Sequence, residues 1–437
     1  MAAPVFYRCR LLLFSVLALC LATVFIVFPT SSNLDLLDDG SVFAPITARK
    51  VASKWKGYLS SAVKSAPTGK PKLYFPRHCP SSNRSCAIMV PSFIIAGGEA
   101  SGTTYIFDTL SKHPQVVGTV DHERTQVLFD LDMRDDTALY ETYLSEFPLV
   151  HDALRSSMDK SEEVVVGEHA PQYLYKSHVA ARRLRELLPH VKLVFVLRDP
   201  IDRAYLHYVN DQADQVSSFE NLIDKELDIL RQCVRTTIGW DEFVRCHQSS
   251  EIQASRELDI TISTLDDTHE TTDDSKNRTS PTYDLLARGM YYTALLPFLE
   301  QFPASQILVF RTEDFLNNPS FSFQKLAKFL GIDPTFFSER NFYRNQADSS
   351  SDLLHTHIST TGRRHGSLRH GRISALAMED ELDESSPEPL WSDPPETALT
   401  DLEMRYRLQK VFRNLNARLL ELFNDDFPGW TYDVDKG

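Results

Sequence analysis

Apolar runs alternate with segments of helical periodicity along the middle of the chain. Four runs flanked by turn residues have the character of buried strands: Phe93–Ala96, Val164–Val166, Lys192–Leu197 and Gln306–Phe310. Three segments carry apolar residues at helical spacing: 103–112, 178–188 and 399–423. Strands that alternate with helices predict a parallel sheet covered on both faces, so the expected fold class is α/β.

The N-terminal part carries one long apolar run. Residues 11–28 are 18 residues without a charge, enough for a helix to span a bilayer. Arg8 and Arg10 precede the run and acidic residues follow it, which predicts a cytosolic tail at 1–10 and a lumenal remainder. A cleaved signal peptide is the alternative. A transmembrane anchor is favoured because the run exceeds the usual signal-peptide core and no clear A-x-A site follows it.

Polar segments divide the rest of the chain. Residues 29–87 show little periodicity and are predicted to form a lumenal stem, followed by one domain over 88–430. Residues 251–282 are rich in Thr and Asp, and residues 371–401 hold nine acids with no basic residue after Arg372. Both are interpreted as exposed insertions in the domain.

Composition and charge exclude several classes of protein. The chain has 437 residues, of which 42% are hydrophobic and 24% charged, so a sizeable core is feasible and disorder throughout is excluded. Its 46 basic and 60 acidic residues give a net charge of −14. A nucleic-acid-binding protein is usually basic, so no nucleic-acid partner is expected.

Cysteines and sequons agree with a lumenal domain. Cys79, Cys86, Cys233 and Cys246 allow three disulfide connectivities, and the two local pairs are favoured because small loops close most easily. Four free thiols are the alternative, less expected in an oxidising lumen. Asn83 and Asn277 lie in N-x-S/T sequons and are expected glycosylation sites.

A glycine-bearing loop lies between the first predicted strand and the first helix. The sequence Gly97-Gly-Glu-Ala-Ser-Gly-Thr-Thr104 can turn backbone N–H groups towards one point at a helix N-terminus, where a phosphate or sulfate binds. A nucleotide-hydrolysing P-loop needs lysine where this chain has Thr103, so hydrolysis of nucleotides is disfavoured. A turn without a ligand is the alternative interpretation.

A basic residue follows the third predicted strand directly. Arg198, in the segment Leu197–Tyr208, stands at the carboxyl end of a parallel strand, the edge where α/β folds bind ligands. A guanidinium there can bind a phosphate with two hydrogen bonds. A surface turn with an Arg–Asp pair is the alternative.

Taken in order, these segments resemble the PAPS-dependent sulfotransferases, and within them the Golgi-membrane carbohydrate group of the heparan-sulfate type. The resemblance rests on six segments over roughly residues 90–430: S-G-T-T at 101–104, G-E-x-x-P-x-Y at 167–173, L-R-D-P-x-x-R-A-Y at 197–205, R-G-x-Y at 288–291, R-x-E-D at 311–314 and G-R at 362–363. It implies a P-loop-like three-layer sandwich around a central parallel sheet. It also implies a type II Golgi membrane protein and a glycan, glycoprotein or proteoglycan acceptor.

The resemblance also implies roles for individual residues. Ser101, Gly102, Thr103 and Thr104 would hold the 5′-phosphosulfate of PAPS, and Arg198 its 3′-phosphate, with Gly362 and Arg363 closing from a later loop. Glu168 matches the catalytic base, a role that its chemistry permits because a carboxylate can take the proton of an acceptor hydroxyl. No metal is expected, since His355 and His357 lack an evident third ligand.

Two positions depart from the family pattern. The family usually has lysine at the position of Ala100, beside the leaving group, and serine at the position of Leu206, on the 3′-phosphate. Loss of a charged donor at a leaving oxygen can cost several kcal/mol. His122, Arg124 and His169 are candidates for the missing cation, and His207 for the missing hydroxyl.

Three functions therefore remain open: a sulfotransferase, a catalytically impaired homologue that binds PAP(S) or glycan as a scaffold, and, disfavoured, a P-loop nucleotide phosphotransferase. The oligomeric state is unknown from the sequence. Phe321, Phe323 and Phe329 are interpreted as core residues of the domain.

Overall fold

The computed structural model describes residues 72–76, 79–80, 84–118, 136–145, 147–149, 164–210, 218–251, 284–342, 399, 401–423, 427 and 429–432. Several predictions fall on residues outside these ranges: the anchor at 11–28, most of both insertions, His122, Arg124, Gly362, Arg363, Asn83 and Asn277. Within the described ranges, no helix combines the length and the apolar character that crossing a bilayer requires.

A five-stranded parallel sheet forms the centre of the domain. Its strands are β3 (Phe93–Gly97), β4 (Val116–Val117), β5 (Val165–His169), β6 (Lys192–Leu197) and β7 (Ile307–Arg311). Their order is β4-β5-β3-β6-β7, and every neighbouring pair is parallel. The predicted α/β class is therefore confirmed. β3 and β6 are buried along their whole length, as expected for a sheet covered on both faces.

Helices cover the sheet and extend from it. They are α1 (Thr103–Ser111), α2 (Asp136–Leu144), α3 (Gln172–Tyr175), α4 (Ser177–Leu187), α5 (Pro200–Asn210), α6 (Phe219–Thr236), α7 (240–251), α8 (Tyr291–Gln301), α9 (Thr312–Asn317), α10 (Pro319–Leu330) and α11 (Leu402–Phe423). α4 packs on α8, and α8 also packs on α11.

α10 shows how local sequence sets a helix end. Asn318 accepts a hydrogen bond from the N–H of Phe321, and Pro319 occupies the first helical position. At the other end Gly331 takes the left-handed conformation (φ 83°), which glycine adopts without a steric penalty. The Lys192 ammonium donates to the carbonyls of Phe329 (2.7 Å) and Leu330 (3.2 Å), so β6 is tied to the end of this helix.

A second, two-stranded sheet precedes the central one. β1 (Leu73–Tyr74) pairs antiparallel with β2 (Ile88–Met89), and a Cys79–Cys86 disulfide closes the connection between them. β1 thus comes from the segment predicted as an aperiodic stem, where a two-residue strand is too short to show a pattern. A Cys233–Cys246 disulfide joins α6 to α7.

Gly167 is required where β5 passes the ring of Phe93. A β-carbon at this position would lie 2.1 Å from the nearest ring atom of the fully buried Phe93. We expect Gly167→Ala to lower the free energy of unfolding by about 1–3 kcal/mol through overpacking. Gly239→Ala is the matched control, because a β-carbon there has no neighbour within 4 Å. Denaturant melts of both variants test this, and equal stability of the two would contradict it.

Candidate active site

The candidate site lies at the carboxyl edge of the sheet, at the point where the connections between strands begin to run in opposite directions. β3 is flanked by β5 on one side and β6 on the other. The connection after β3 leads to β4 at one end of the sheet, and the connection after β6 leads to β7 at the other end. This divergence opens a crevice at the carboxyl ends of β3 and β6. Most of the described candidate residues lie at the ends of these strands: Ser101–Thr104 after β3, Glu168 and His169 at the end of β5, and Arg198 after β6.

The loop after β3 is compact and open to an anion. A β-carbon on Gly97 would lie 2.2 Å from the carbonyl oxygen of Val196, so β3 and β6 approach closely only because this residue is glycine. Gly102 adopts φ 74° and gives α1 no side-chain cap. The first-turn N–H groups of α1 therefore lack a capping side chain, and the helix dipole favours a negative charge there. Ser101 and Thr103 are buried, whereas Thr104 is exposed.

Shared hydrogen bonds hold this loop beside Arg198. The hydroxyl of Thr312 donates to the carbonyls of Ser101 (2.7 Å) and Leu197 (3.2 Å). The hydroxyl of Tyr291 donates to the carbonyl of Arg198 (2.9 Å). Arg198 is itself buried, with 4% of its surface exposed. Two predicted anion-binding elements are therefore adjacent on one sheet edge.

Arg203 supports the loop from beneath. Its guanidinium is completely buried and donates to the carbonyls of Glu99 (3.2 Å) and Leu285. A β-carbon on Gly98 would lie 2.9 Å from its Cδ. The second arginine of the L-R-D-P-x-x-R segment thus has a structural role that the sequence did not assign.

Glu168 is enclosed on the face of the sheet opposite His169. Side chains alternate along β5, so Gly167 and His169 face α1 while Glu168 faces α2 and α3. The hydroxyls of Tyr143 (2.5 Å) and Tyr173 (2.6 Å) donate to its two carboxylate oxygens, and none of its surface is exposed. Burial raises the pKa of Glu168 to about 7, against the opposing effect of the two hydrogen bonds.

This geometry explains the G-E-x-x-P-x-Y segment. Gly167 makes room for Phe93, Pro171 stands at the start of α3, and the first turn of α3 brings Tyr173 back to Glu168. Tyr143 was missed by sequence reasoning. It lies 25 residues before Glu168 in a segment without a motif, and only the fold brings the two together.

The histidine candidates contact different parts of the loop. Nε2 of His169 lies 3.0 Å from the hydroxyl of Thr103. His207 is buried on α5, with Nε2 3.6 Å from Oε2 of Glu99 and Nδ1 3.4 Å from a guanidinium nitrogen of Arg203. His207 therefore faces the underside of the loop.

The R-x-E-D segment and the C-terminal residues complete the edge beyond Arg198. Oε1 of Glu313 accepts from the backbone N–H of Asp199 (3.0 Å) and the indole N–H of Trp430 (3.0 Å). Oδ1 of Asp199 accepts from the N–H of Ile201 (2.9 Å) and the hydroxyl of Tyr432 (3.0 Å). Burial raises the pKa of Asp199 to about 6. These contacts fix the turn that presents Arg198.

A separate groove of about 310 Å³ lies between α4, α8 and the turn before α7. Its lining includes His178, Trp240 and Pro297 but none of the predicted site residues. Among the residues that the structure describes, no group of three or more His, Cys, Asp or Glu side chains could hold a metal ion.

Residues 91–360 match the family model described as Sulfotransferase domain. The chain therefore belongs to the sulfotransferase domain family, and the resemblance predicted from its motifs is confirmed at the level of the family.

Among curated proteins, it is 26% identical over 290 residues to the membrane-associated sulfotransferase kil1 of Dictyostelium discoideum, covering 58% of each chain. It is also 26% identical over 256 residues to the human bifunctional heparan sulfate N-deacetylase/N-sulfotransferase 2 (58% of this chain, 23% of that protein). Human carbohydrate sulfotransferase 15 is 24% identical over 281 residues (56% and 44%). The matched region thus spans less than two thirds of each relative.

Among solved structures, a sulfotransferase from Alicyclobacillus acidocaldarius is similar to 76% of this chain and 96% of its own, with 19% identity and a TM-score of 0.40.

Proposed function

We propose that the protein transfers a sulfuryl group from PAPS to a hydroxyl or amine of a glycan. The observation that carries this proposal is the adjacency of the uncapped α1 loop and the buried Arg198, linked through Thr312 and Tyr291. A donor with anionic groups at both ends needs two such elements on one sheet edge.

The residues present fit this donor. Gly102 is half-buried at φ 74° and offers no capping side chain, so the N–H groups in the first turn of α1 have no side-chain cap. Ser101, Gly102, Thr103 and Thr104 would hold the 5′ end, and Arg198 the 3′-phosphate. When bound, PAPS supplies the sulfuryl group, and PAP is the product that leaves. Gly362 and Arg363 remain proposed contacts.

Glu168 is the proposed base. Its pKa of about 7 suits a group that must accept a proton near neutral pH. Tyr143 must move or exchange its hydrogen bond for an acceptor to reach the carboxylate, because Glu168 has no exposed surface. Tyr173, two residues beyond Pro171, would then keep the remaining carboxylate oxygen in place.

A glycan acceptor in the Golgi lumen is proposed on two grounds. The names of two relatives specify heparan sulfate and carbohydrate, and that of a third specifies membrane association. The apolar run at 11–28 and the basic residues before it support a type II anchor.

The second candidate function is a PAP(S)- or glycan-binding scaffold without transfer. Two observations favour it: Ala100 and Leu206 replace the usual lysine and serine, and Glu168 is enclosed by tyrosines. A P-loop nucleotide phosphotransferase stays the least favoured function, because Thr103 occupies the place of its lysine.

One experiment separates the three. The purified full chain is incubated with radiolabelled PAPS and a panel of glycans and tyrosine peptides, and PAP binding is measured by calorimetry. Sulfated glycan with PAP binding is the expected result. PAP binding without transfer would identify the scaffold. Transfer of labelled phosphate from ATP to an acceptor, in a parallel incubation with ATP in place of PAPS, would identify the phosphotransferase.

A further inference from the structure

The loop after β3 lacks a basic residue of its own, yet basic side chains surround one of its residues. Residues 97–104 contain no lysine or arginine, and the position usually held by lysine is Ala100. The neighbouring residue, Glu99, receives Nη1 of Arg288 at 2.8 Å from Oε2. Its backbone carbonyl accepts from Arg203, and Nε2 of His207 lies 3.6 Å from the same carboxylate oxygen.

Arg288 is held in place from three sides. Nε donates to Oδ2 of Asp284 at 2.6 Å, and the guanidinium lies 5.0 Å from the ring centroid of Tyr175. With Glu99 this makes two ion pairs and a cation–π contact on one side chain. Of the Arg288 side chain, 17% of the surface is exposed at the edge of the loop.

Charged side chains of both signs surround this part of the loop: Arg288, Arg203 and Lys176 with Glu99, Asp284 and Glu226. Burial lowers the pKa of Lys176, and the charges of Arg288, Glu99 and Asp284 also act on it. Burial lowers the pKa of Arg288, but the carboxylates of Asp284 and Glu99 outweigh this and keep its pKa above the ordinary value. Arginine also stays charged at any physiological pH.

We propose that Arg288 supplies, from outside the loop, the fixed positive charge that Ala100 lacks, with Glu99 and Asp284 positioning it for the 5′-phosphosulfate. This rests on the proposed function. His169, which contacts Thr103, is the competing source of charge at the loop. The sequence shows Arg288 only as a residue of the R-G-x-Y segment, because its approach to Glu99 depends on the fold.

Moving the charge tests the proposal. We expect Arg288→Gln to weaken PAP and AMP binding by tenfold or more in calorimetry and to lower transfer by at least as much. The double variant Arg288→Gln with Ala100→Lys is expected to recover most of both, because lysine restores a cation at the loop. A purely structural Arg288 would not be rescued by a charge at position 100.

Two further variants keep the test decisive. Ala100 already has φ 61° with a β-carbon, so Ala100→Lys alone adds no backbone strain. We expect Ala100→Lys to change PAP affinity less than threefold, because Arg288 already supplies a positive charge there. A gain of tenfold or more would overturn the proposal even if Arg288→Gln fails to fold. His169→Asn is the competing arm, and rescue of that variant by Ala100→Lys, with none for Arg288→Gln, would also overturn it.

The wild-type measurement separates this inference from the proposed function. If the wild type neither binds PAP nor transfers sulfate, the proposed function fails. If the wild type binds PAP and Arg288→Gln, shown to be folded by its thermal melt, binds it equally well, only the role of Arg288 fails.

Discussion

Glu168→Gln is expected to remove transfer and to stabilise the fold at the same time. The amide cannot accept the proton of the acceptor, so kcat should fall by about 10²–10⁴-fold, the usual contribution of a general base. The amide also fills the same enclosed space between Tyr143 and Tyr173 without a charge that must be buried. The tyrosine hydroxyl that faces the new NH2 group turns to accept a hydrogen bond from it. Replacing an exposed acid by its amide usually changes stability little. A gain in stability together with a loss of transfer would therefore identify Glu168 as a buried carboxylate that acts as the base.

The direction of the pH dependence follows from the raised pKa. Between the ordinary value of about 4.3 and the folded value of about 7, the unfolded chain gives up the Glu168 proton while the folded protein keeps it. Wild-type stability therefore falls as pH rises through this range, by on the order of 3 kcal/mol, and is then constant above it as far as this group is concerned. Glu168→Gln escapes that loss, so its stability advantage should be largest above pH 7.

Thermal melts at several pH values and rate measurements over the same range check both parts. Wild-type kcat should rise with pH through about 7, where Glu168 becomes a carboxylate. Glu300→Gln, at an exposed position near the end of α8, is the matched control and should change neither quantity. Full activity in Glu168→Gln would remove Glu168 from the base role, and an unchanged melting profile would contradict its buried charge.

Much of the fold could be predicted because the buried strands are continuous apolar runs flanked by turn residues in this sequence. Lys192–Leu197 has the predicted bounds, since a run of 6 residues that ends at a turn is long enough for a strand and too short for a typical helix. The strand at Val164–Val166 extends further, to His169, because Gly167 and Glu168 interrupt the apolar run without ending the pairing with β3. The order of the strands was outside what periodicity can show.

Phe321 illustrates the opposite case. It was predicted as a core residue with Phe323 and Phe329, but it is 64% exposed while the other two are buried. Residues two apart on a helix point in widely different directions, so Phe321 and Phe323 cannot share one buried face of α10. The prediction failed because it counted aromatic residues without applying the helical period.

At the site, the sequence located the strand ends but not what surrounds them. Glu168 and Arg198 could be placed at the carboxyl edge from their position after apolar runs. Tyr143 and Arg288 could not, because they reach the site from distant segments through packing. Three motif segments meet there and contact the loop or the turn that bears Arg198, through Thr312 and Glu313, Tyr291, and Arg203.

Arg198→Ala is expected to abolish selection for the 3′-phosphate while leaving the rest of the site intact. A buried arginine that binds a phosphate with two charge-assisted hydrogen bonds contributes about 1.5–3 kcal/mol for each, so PAP affinity should fall by about 10²–10⁴-fold. AMP lacks the 3′-phosphate and should bind the variant and the wild type alike. The backbone of this turn should survive, since its contacts with Tyr291 and Glu313 are made by main-chain atoms of Arg198 and Asp199.

Comparison of the two nucleotides makes the result specific. Wild-type protein should prefer PAP to AMP, and the variant should bind them equally. Loss of both would instead indicate an effect on the site for the 5′ end, which is the pattern expected for Arg288→Gln. Arg182→Ala is the matched control, because that side chain is 64% exposed on α4 and pairs only with Glu186 at 3.8 Å among the described ion pairs. A preference for PAP that persists in folded Arg198→Ala would place the 3′-phosphate elsewhere on the edge. The roles of Arg198 and Arg288 would then have to be reassigned together, because the length of PAPS limits the distance between its 3′-phosphate and its 5′-phosphosulfate.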